Sequence, residues 1–204
     1  MSQNPPFPDR AAELSLERAE AALARPPRLG VSACLLGHPT RYDGGHRRHE
    51  FIAGFLARRL ELVPICPEME AGLGAPRETM QLTGDPERPR LVTTETGLDR
   101  TELMERWARQ RAREIEAEGL DGFILKGGSP SCGRQGVKVR LDSGEVVREG
   151  IGLFAKALGQ RLPHLPVIEE TALDDPGAWE EFIRRTGAGS AGNLGLKKQK
   201  GSIP

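Results

Sequence analysis

The sequence carries no net charge: 29 lysines and arginines balance 29 aspartates and glutamates. A zero balance removes any bulk electrostatic attraction to nucleic acid or membrane and leaves only local patches to supply it. No stretch approaches the ~18 consecutive apolar residues of a membrane span. Met1-Ser2-Gln3-Asn4-Pro5-Pro6 lacks the basic-then-apolar pattern of a secretion signal. The cytoplasm is therefore the expected compartment. Cysteine is scarce, three in 204 residues. An odd count in a reducing compartment argues against disulfides and for ligands, nucleophiles or core residues. There is no CxxC pair, which disfavours zinc ribbons and thioredoxin-like chemistry, and no Cys-x5-Arg loop of the cysteine phosphatases. The four histidines show no paired metal-binding spacing, and Lys126-Gly127-Gly128-Ser129 lacks the Gly-Lys-Ser/Thr of a nucleotide P-loop, leaving at most a backbone nest for an anion.

What remains is a chain with enough apolar residues, 37%, for one full core. Residues 1–27 read as an appended arm with a short helix over 11–24, closed by Pro26-Pro27. Residues 187–204, rich in Gly, Ser and Lys, read as a flexible tail. The folded body is expected over 28–186. Short apolar runs there alternate with helical spacing. Strands are predicted at Leu29–Ala33, Glu61–Ile65, Gly122–Leu125 and Val167–Ile168, with a hairpin over Val137–Leu141 and Glu145–Val147. Helices are predicted through Phe51–Leu60, through Leu103–Ile115 behind an Asp99/Glu102 capping box, through Ile151–Leu158, and after Asp175-Pro176. The alternation predicts a single-domain, three-layer Rossmann-like α/β fold with a mostly parallel sheet flanked by helices.

Cys34 ends the first strand run, Cys66 ends the second, and Cys132 lies in the loop after Phe123–Leu125. The carboxyl ends of parallel strands share one edge, where the ligand crevice forms, so cysteines 32 and 66 positions apart can converge. Three buried cysteines acting as small hydrophobes are the plain alternative. Their flanks argue against it: Ser129-Pro130-Ser131-Cys132-Gly133 is a polar turn, and Cys66-Pro67-Glu68 carries a carboxylate two residues on. Three thiolates select a soft centre, zinc, copper(I) or an iron–sulfur cluster, and leave one position open.

Several segments together resemble one family. They are Ser32-Ala33-Cys34-Leu35-Leu36-Gly37, Arg41-Tyr42-Asp43-Gly44-Gly45, Cys66-Pro67-Glu68 with Gly72-Leu73-Gly74-x-Pro76-Arg77-Glu78, and Lys126-x-x-Ser129-Pro130-Ser131-Cys132-Gly133. With Gly150–Ala155 and Leu165–Glu170 they resemble the thiouracil desulfidase family over about residues 28–186. The resemblance implies a [4Fe–4S] cluster held by Cys34, Cys66 and Cys132, with Glu68 and Ser129 as catalytic residues. It implies non-redox removal of sulfur from a thiolated uracil, base or nucleoside. In that reading the open iron takes the substrate sulfur, Glu68 deprotonates the attacking water, and Ser129 orients the water or hydrogen-bonds the base. Where this chain has Lys126-Gly127-Gly128, many members of that family read Lys-Ser-x, a departure that bears on substrate fit and leaves the ligands untouched.

Arg41 to His49 is either a solvated surface loop or a cover over the crevice, with Arg41 or Tyr42 reaching the substrate ring. With Arg58, Arg59, Arg134 and Lys138 it is a candidate basic rim for thiolated tRNA. Two other classes stay open: a zinc hydrolase using the same three cysteines and Glu68, and a non-catalytic RNA- or metal-binding module.

Overall fold

The computed structural model describes residues 25–193, so the expected helix over 11–24 and the tail beyond 193 lie outside the described residues. Strand β1 (Arg28–Ser32) is an inner strand of the parallel sheet and is buried on both faces. It pairs with β2 (Glu61–Ile65) and with β5 (Gly122–Leu125), and β5 pairs with β8 (Val167–Glu169). The order is β2-β1-β5-β8, all parallel. Successive side chains of a strand point to opposite faces, and the burial follows that rule. Leu29, Val31, Ile124 and Ile168 face one layer, made by residues 51–60 and by the closing helix through Trp179, Phe182 and Ile183. Phe123, Leu125 and Ile65 face the other, where they meet Ala108, Ile115, Phe154 and Leu158. Gly30 is needed here, since a Cβ on it would lie 2.4 Å from the Phe123 ring. The three-layer α/β fold expected from the sequence is present.

Two elements differ from expectation. Phe51–Leu60 is not one α-helix but a π-helical turn (Phe51–Phe55) followed by a 3-10 turn (Leu56–Arg58). Apolar spacing specified the buried face, and Phe51, Ile52, Phe55 and Leu56 are indeed buried. It could not specify the winding, which no side-chain cap fixes at either end. The second difference is a separate small sheet of β3 (Met80–Thr83), β4 (Arg90–Thr93), β6 (Val137–Arg140) and β7 (Val146–Gly150). Its order is β4-β3-β6-β7, antiparallel except for the β3–β6 pair. The β6–β7 hairpin was legible; β3 and β4, four residues each, were not. The inner face of this sheet, Leu82, Leu91, Val137 and Val139, packs on Met104 and Leu153.

Helix α1 (Pro67–Glu70) is a single turn, α2 spans Thr101–Glu118, α3 Leu153–Arg161 and α4 Pro176–Asn193. Instead of the expected capping box, the Asp99 carboxylate accepts the Thr101 N–H at 2.8 Å. The Thr101 hydroxyl in turn accepts the Leu91 N–H at 2.8 Å, tying the start of α2 to β4. Gly119 closes α2 at φ 64°, a left-handed conformation that favours glycine. The closing helix runs past Thr186 to Asn193. Among the described residues no helix is long and apolar enough to cross a membrane.

Candidate metal and catalytic centre

β2, β1 and β5 are neighbours and parallel, so the segments leaving them start along one edge. Cys34 sits in the 3-10 turn Ala33–Leu36 directly after β1, Cys66 caps α1 directly after β2, and Cys132 lies in the loop between β5 and β6. All three line one cavity of about 260 Å³. None is in a disulfide. The predicted convergence is met.

Cys132 is 6% exposed. Burial, above all, pushes its thiol up to about 12; the Ser32 and Ser129 hydroxyls pull it down, while Cys34 and Cys66 push it further up. Burial likewise raises Cys34 to about 11, with Cys66 adding to the rise and Lys126 opposing it. Cys132 is thus within electrostatic reach of Cys34 and Cys66, and without a positive guest the Cys34 and Cys132 thiols stay protonated at neutral pH. An unfolded cysteine ionises near 9.0, so the folded chain favours the neutral thiol. That stability is complete below about pH 9 and is lost as pH climbs toward 11–12. The urea midpoint of cluster-free protein is therefore expected to fall above pH 9, and to fall less in Cys132→Ala; an identical fall in both would refute this origin.

Three thiolates on a single zinc lie about 3.8 Å from one another, given Zn–S bonds of ~2.3 Å. Among the described residues no three Cys, His, Asp or Glu side chains are grouped as ligands of one ion. A cuboidal cluster binds each cysteine to a different iron, and a cavity several times the ~30 Å³ share of one water has room for it. Two buried donors from residues lining the cavity, Thr40 Oγ1 and Arg77 Nε, have no partner. The donor set and the space fit a [4Fe–4S] cluster.

Glu68, on α1, projects into the same cavity wall with its side chain 17% exposed. Its Oε1 accepts the Ser131 hydroxyl at 2.8 Å, and its Oε2 is ion-paired with the Arg77 guanidinium. Ser131 is fully buried and Arg77 nearly so. Ser129 also lines the cavity, but its Oγ accepts the backbone N–H groups of Ser131 (3.2 Å) and Cys132 (3.1 Å). The serine on the Glu68 carboxylate is Ser131, which sequence reasoning passed over. The motif holds two serines, and nothing in their spacing says which one turns toward Glu68. Arg77 was equally illegible, since its pairing with Glu68 is made in space by the turn at Gly72–Gly74.

The Cys132 loop is fastened by the start of α3. Gly152 N–H donates to Gly133 O at 2.7 Å, Leu153 N–H to Pro130 O at 3.1 Å, and Phe154 N–H to Ser131 O at 3.0 Å. These bonds use up free amides of a helix N-terminus. A Cβ on Gly152 would stand 2.5 Å from the Ser131 carbonyl. Gly152→Ala is therefore expected to cost ~1–3 kcal/mol by overpacking and to lower iron retention. Chemical unfolding and iron analysis check both; an unchanged midpoint would contradict the fit.

Arg41 and Tyr42 line the cavity. Arg41 is held by the Asp43 carboxylate at 3.1 and 3.2 Å and lies over the Tyr42 ring at 5.0 Å; Tyr42 is 42% exposed. Beyond them the loop turns to solvent, where Arg48 pairs with Glu50 at 2.8 Å. The expected basic rim is not assembled there. None of Arg58, Arg59, Arg134 and Lys138 lines the cysteine cavity, and Arg59 stacks on Phe55 at 3.9 Å. Lys138 instead lines a neighbouring groove of about 390 Å³ with Arg140. The expected backbone nest at 126–129 is filled by the chain's own anion. Glu170 pairs with Lys126 Nζ at 2.6 Å and accepts the Gly127 N–H at 2.5 Å.

Comparison with known proteins identifies the family. The profile of the 2-thiouracil desulfurase family matches residues 29–170. The uncharacterized protein YbbK of Bacillus subtilis (strain 168) is 34% identical over 153 residues, 71% of this chain and 97% of YbbK. A solved structure of the [4Fe-4S]-dependent thiouracil desulfidase TudS superposes with a TM-score of 0.59 at 31% identity. It covers 76% of this chain and 98% of that one. On the matched motifs and the shared fold, the chain belongs to the 2-thiouracil desulfurase family.

Proposed function

We propose that this protein hydrolyses thiolated uracil, with Cys34, Cys66 and Cys132 holding a [4Fe–4S] cluster and Glu68 acting as general base. The observation that carries the reading is the meeting of three thiols and an arginine-held carboxylate on one cavity. The overall change is thiouracil plus water to uracil plus hydrogen sulfide, which balances without an electron donor. When bound, the cluster supplies a soft iron lacking a protein ligand, a match for thiocarbonyl sulfur.

The chain's own residues do the rest. Glu68 takes a proton from water, and its occupied oxygens keep the carboxylate turned toward the cavity. Ser129 Oγ accepts two backbone N–H groups, which sets its hydroxyl at the cavity wall beside Cys132, within reach of a bound substrate. Ala33, Ile65, Pro67 and Pro130 give the walls an apolar lining that limits water. Arg41 and Tyr42, at the mouth, contact the uracil ring. Three free thiols suit a reducing compartment, the cytoplasm. In reconstituted protein, sulfide and uracil are expected in equal amounts from 2-thiouracil with no reductant added. A requirement for reductant, or sulfide without uracil, would overturn the hydrolytic reading.

The neighbouring groove favours a second reading, in which the thiolated base arrives within tRNA. Lys138 and Arg140 alternate along β6 on its exposed face, and no carboxylate lines the groove. The double variant Lys138→Glu/Arg140→Glu is then expected to lower turnover of thiolated tRNA by roughly tenfold or more, with free 2-thiouracil unaffected. Equal loss on both substrates, or on neither, would remove tRNA from consideration.

A further inference from the structure

We infer that Arg77 is a positioning residue that aims the Glu68 carboxylate, an inference that rests on the general-base reading of Glu68. Glu68 stands on a helix of one turn, and so short an element is not rigid by itself. Its orientation must come from outside. Arg77 is built to provide it: the side chain is 8% exposed, and both terminal nitrogens are committed. Nη2 pairs with Glu68 Oε2, while Nη1 donates to Thr40 O at 3.0 Å and to Gly74 O at 2.5 Å. Its backbone N–H donates to Tyr42 O at 2.8 Å.

Arg77 thereby joins three segments. They are the loop following Cys34, the turn at Gly74, and α1 just after Cys66. The same Thr40 carbonyl lies 4.0 Å from Cys66 Sγ, so the anchor of Arg77 is also a neighbour of a cluster ligand. A guanidinium is planar and forked, so fixing Nη1 fixes where Nη2 points. A lysine would keep the charge and lose the aim. Charge compensation alone therefore predicts that Arg77→Lys works, and positioning predicts that it does not.

A displacement of about 1 Å costs on the order of 10²-fold in rate. Arg77→Lys and Arg77→Ala are thus expected to lose ~10–100-fold in kcat, with KM within about threefold of wild type. Iron and sulfide content and the visible spectrum should stay at wild-type levels. Because Arg77 lines the cavity, its removal opens a slot beside Glu68 that free guanidinium can enter. Millimolar guanidinium is expected to raise the rate of Arg77→Ala by roughly tenfold, while methylammonium does nothing and Glu68→Gln is not rescued by either. Wild-type turnover in Arg77→Lys would overturn the proposal. So would an Arg77→Ala protein that guanidinium does not rescue, whether or not it keeps its cluster. Failure of the underlying reading looks different: Glu68→Gln would then turn over at full rate whatever the arginine variants do.

Discussion

Replacing Cys132 by serine is expected to reduce sulfide release from thiolated uracil to background and to leave reconstituted protein without its cluster absorbance. The reason is chemical before it is structural. Serine differs from cysteine by one atom, so the loop bonds from Ser129 Oγ and from the start of α3 remain available. The new oxygen, however, is a hard donor that holds its proton far more tightly than a thiol, and iron in a sulfide cage selects soft thiolate. Only two thiolates would then face the cavity. The same loss is expected at Cys34 and Cys66, since each supplies one third of the protein ligands. The fold should survive in all three: Cys132 belongs to one core and Cys34 packs against the other, but both cores are built mainly from larger aliphatic and aromatic side chains, and serine changes the volume at each position little. Circular dichroism, iron content and sulfide release measure the three consequences separately. A Cys132→Ser protein that binds a full cluster and turns over would show that the ligand set is wrong.

Glu68→Gln is the second large effect, a loss of about 10²–10⁴-fold in turnover with the cluster retained. Glutamine keeps an oxygen for the Ser131 hydroxyl but presents an uncharged group to Arg77. The nearly buried guanidinium then lacks its counter-charge, which costs stability as well as rate. Glu68→Asp keeps the charge and shortens the reach by one methylene, so its expected loss, on the order of 10²-fold, comes from misplacement alone. Turnover at matched iron content checks both variants. Full activity in an iron-replete Glu68→Gln enzyme would remove Glu68 from the chemistry.

Much of this was legible in the sequence, and the pattern of successes has a physical cause. Cys34, Cys66 and Cys132 each follow a strand, and a parallel sheet turns three distant positions into neighbours along one edge; topology did the work. The apolar runs at Leu29–Val31 and Phe123–Leu125 declared a sheet buried on both faces. Glu68 and Ser129 were singled out through the family resemblance, and both line the cavity. The residues that escaped notice act through pairings made in space. Arg77 reaches Glu68 around a glycine-rich turn, Ser131 reaches it across 63 positions, and Glu170 reaches Gly127 across 43. No local spacing announces such pairs. Short strands escaped for a related reason: β3 and β4 carry only two apolar residues each and gain their identity from β6 and from Met104 on α2.

The decisive measurement is iron and inorganic sulfide per chain after anaerobic reconstitution, read with and without 2-thiouracil by ⁵⁷Fe Mössbauer spectroscopy. About four irons and four sulfides are expected, with the signal of one iron alone shifting when the thiolated base is added. One zinc per chain in place of iron, or four irons that all ignore the base, would contradict a three-cysteine cluster with a vacant site.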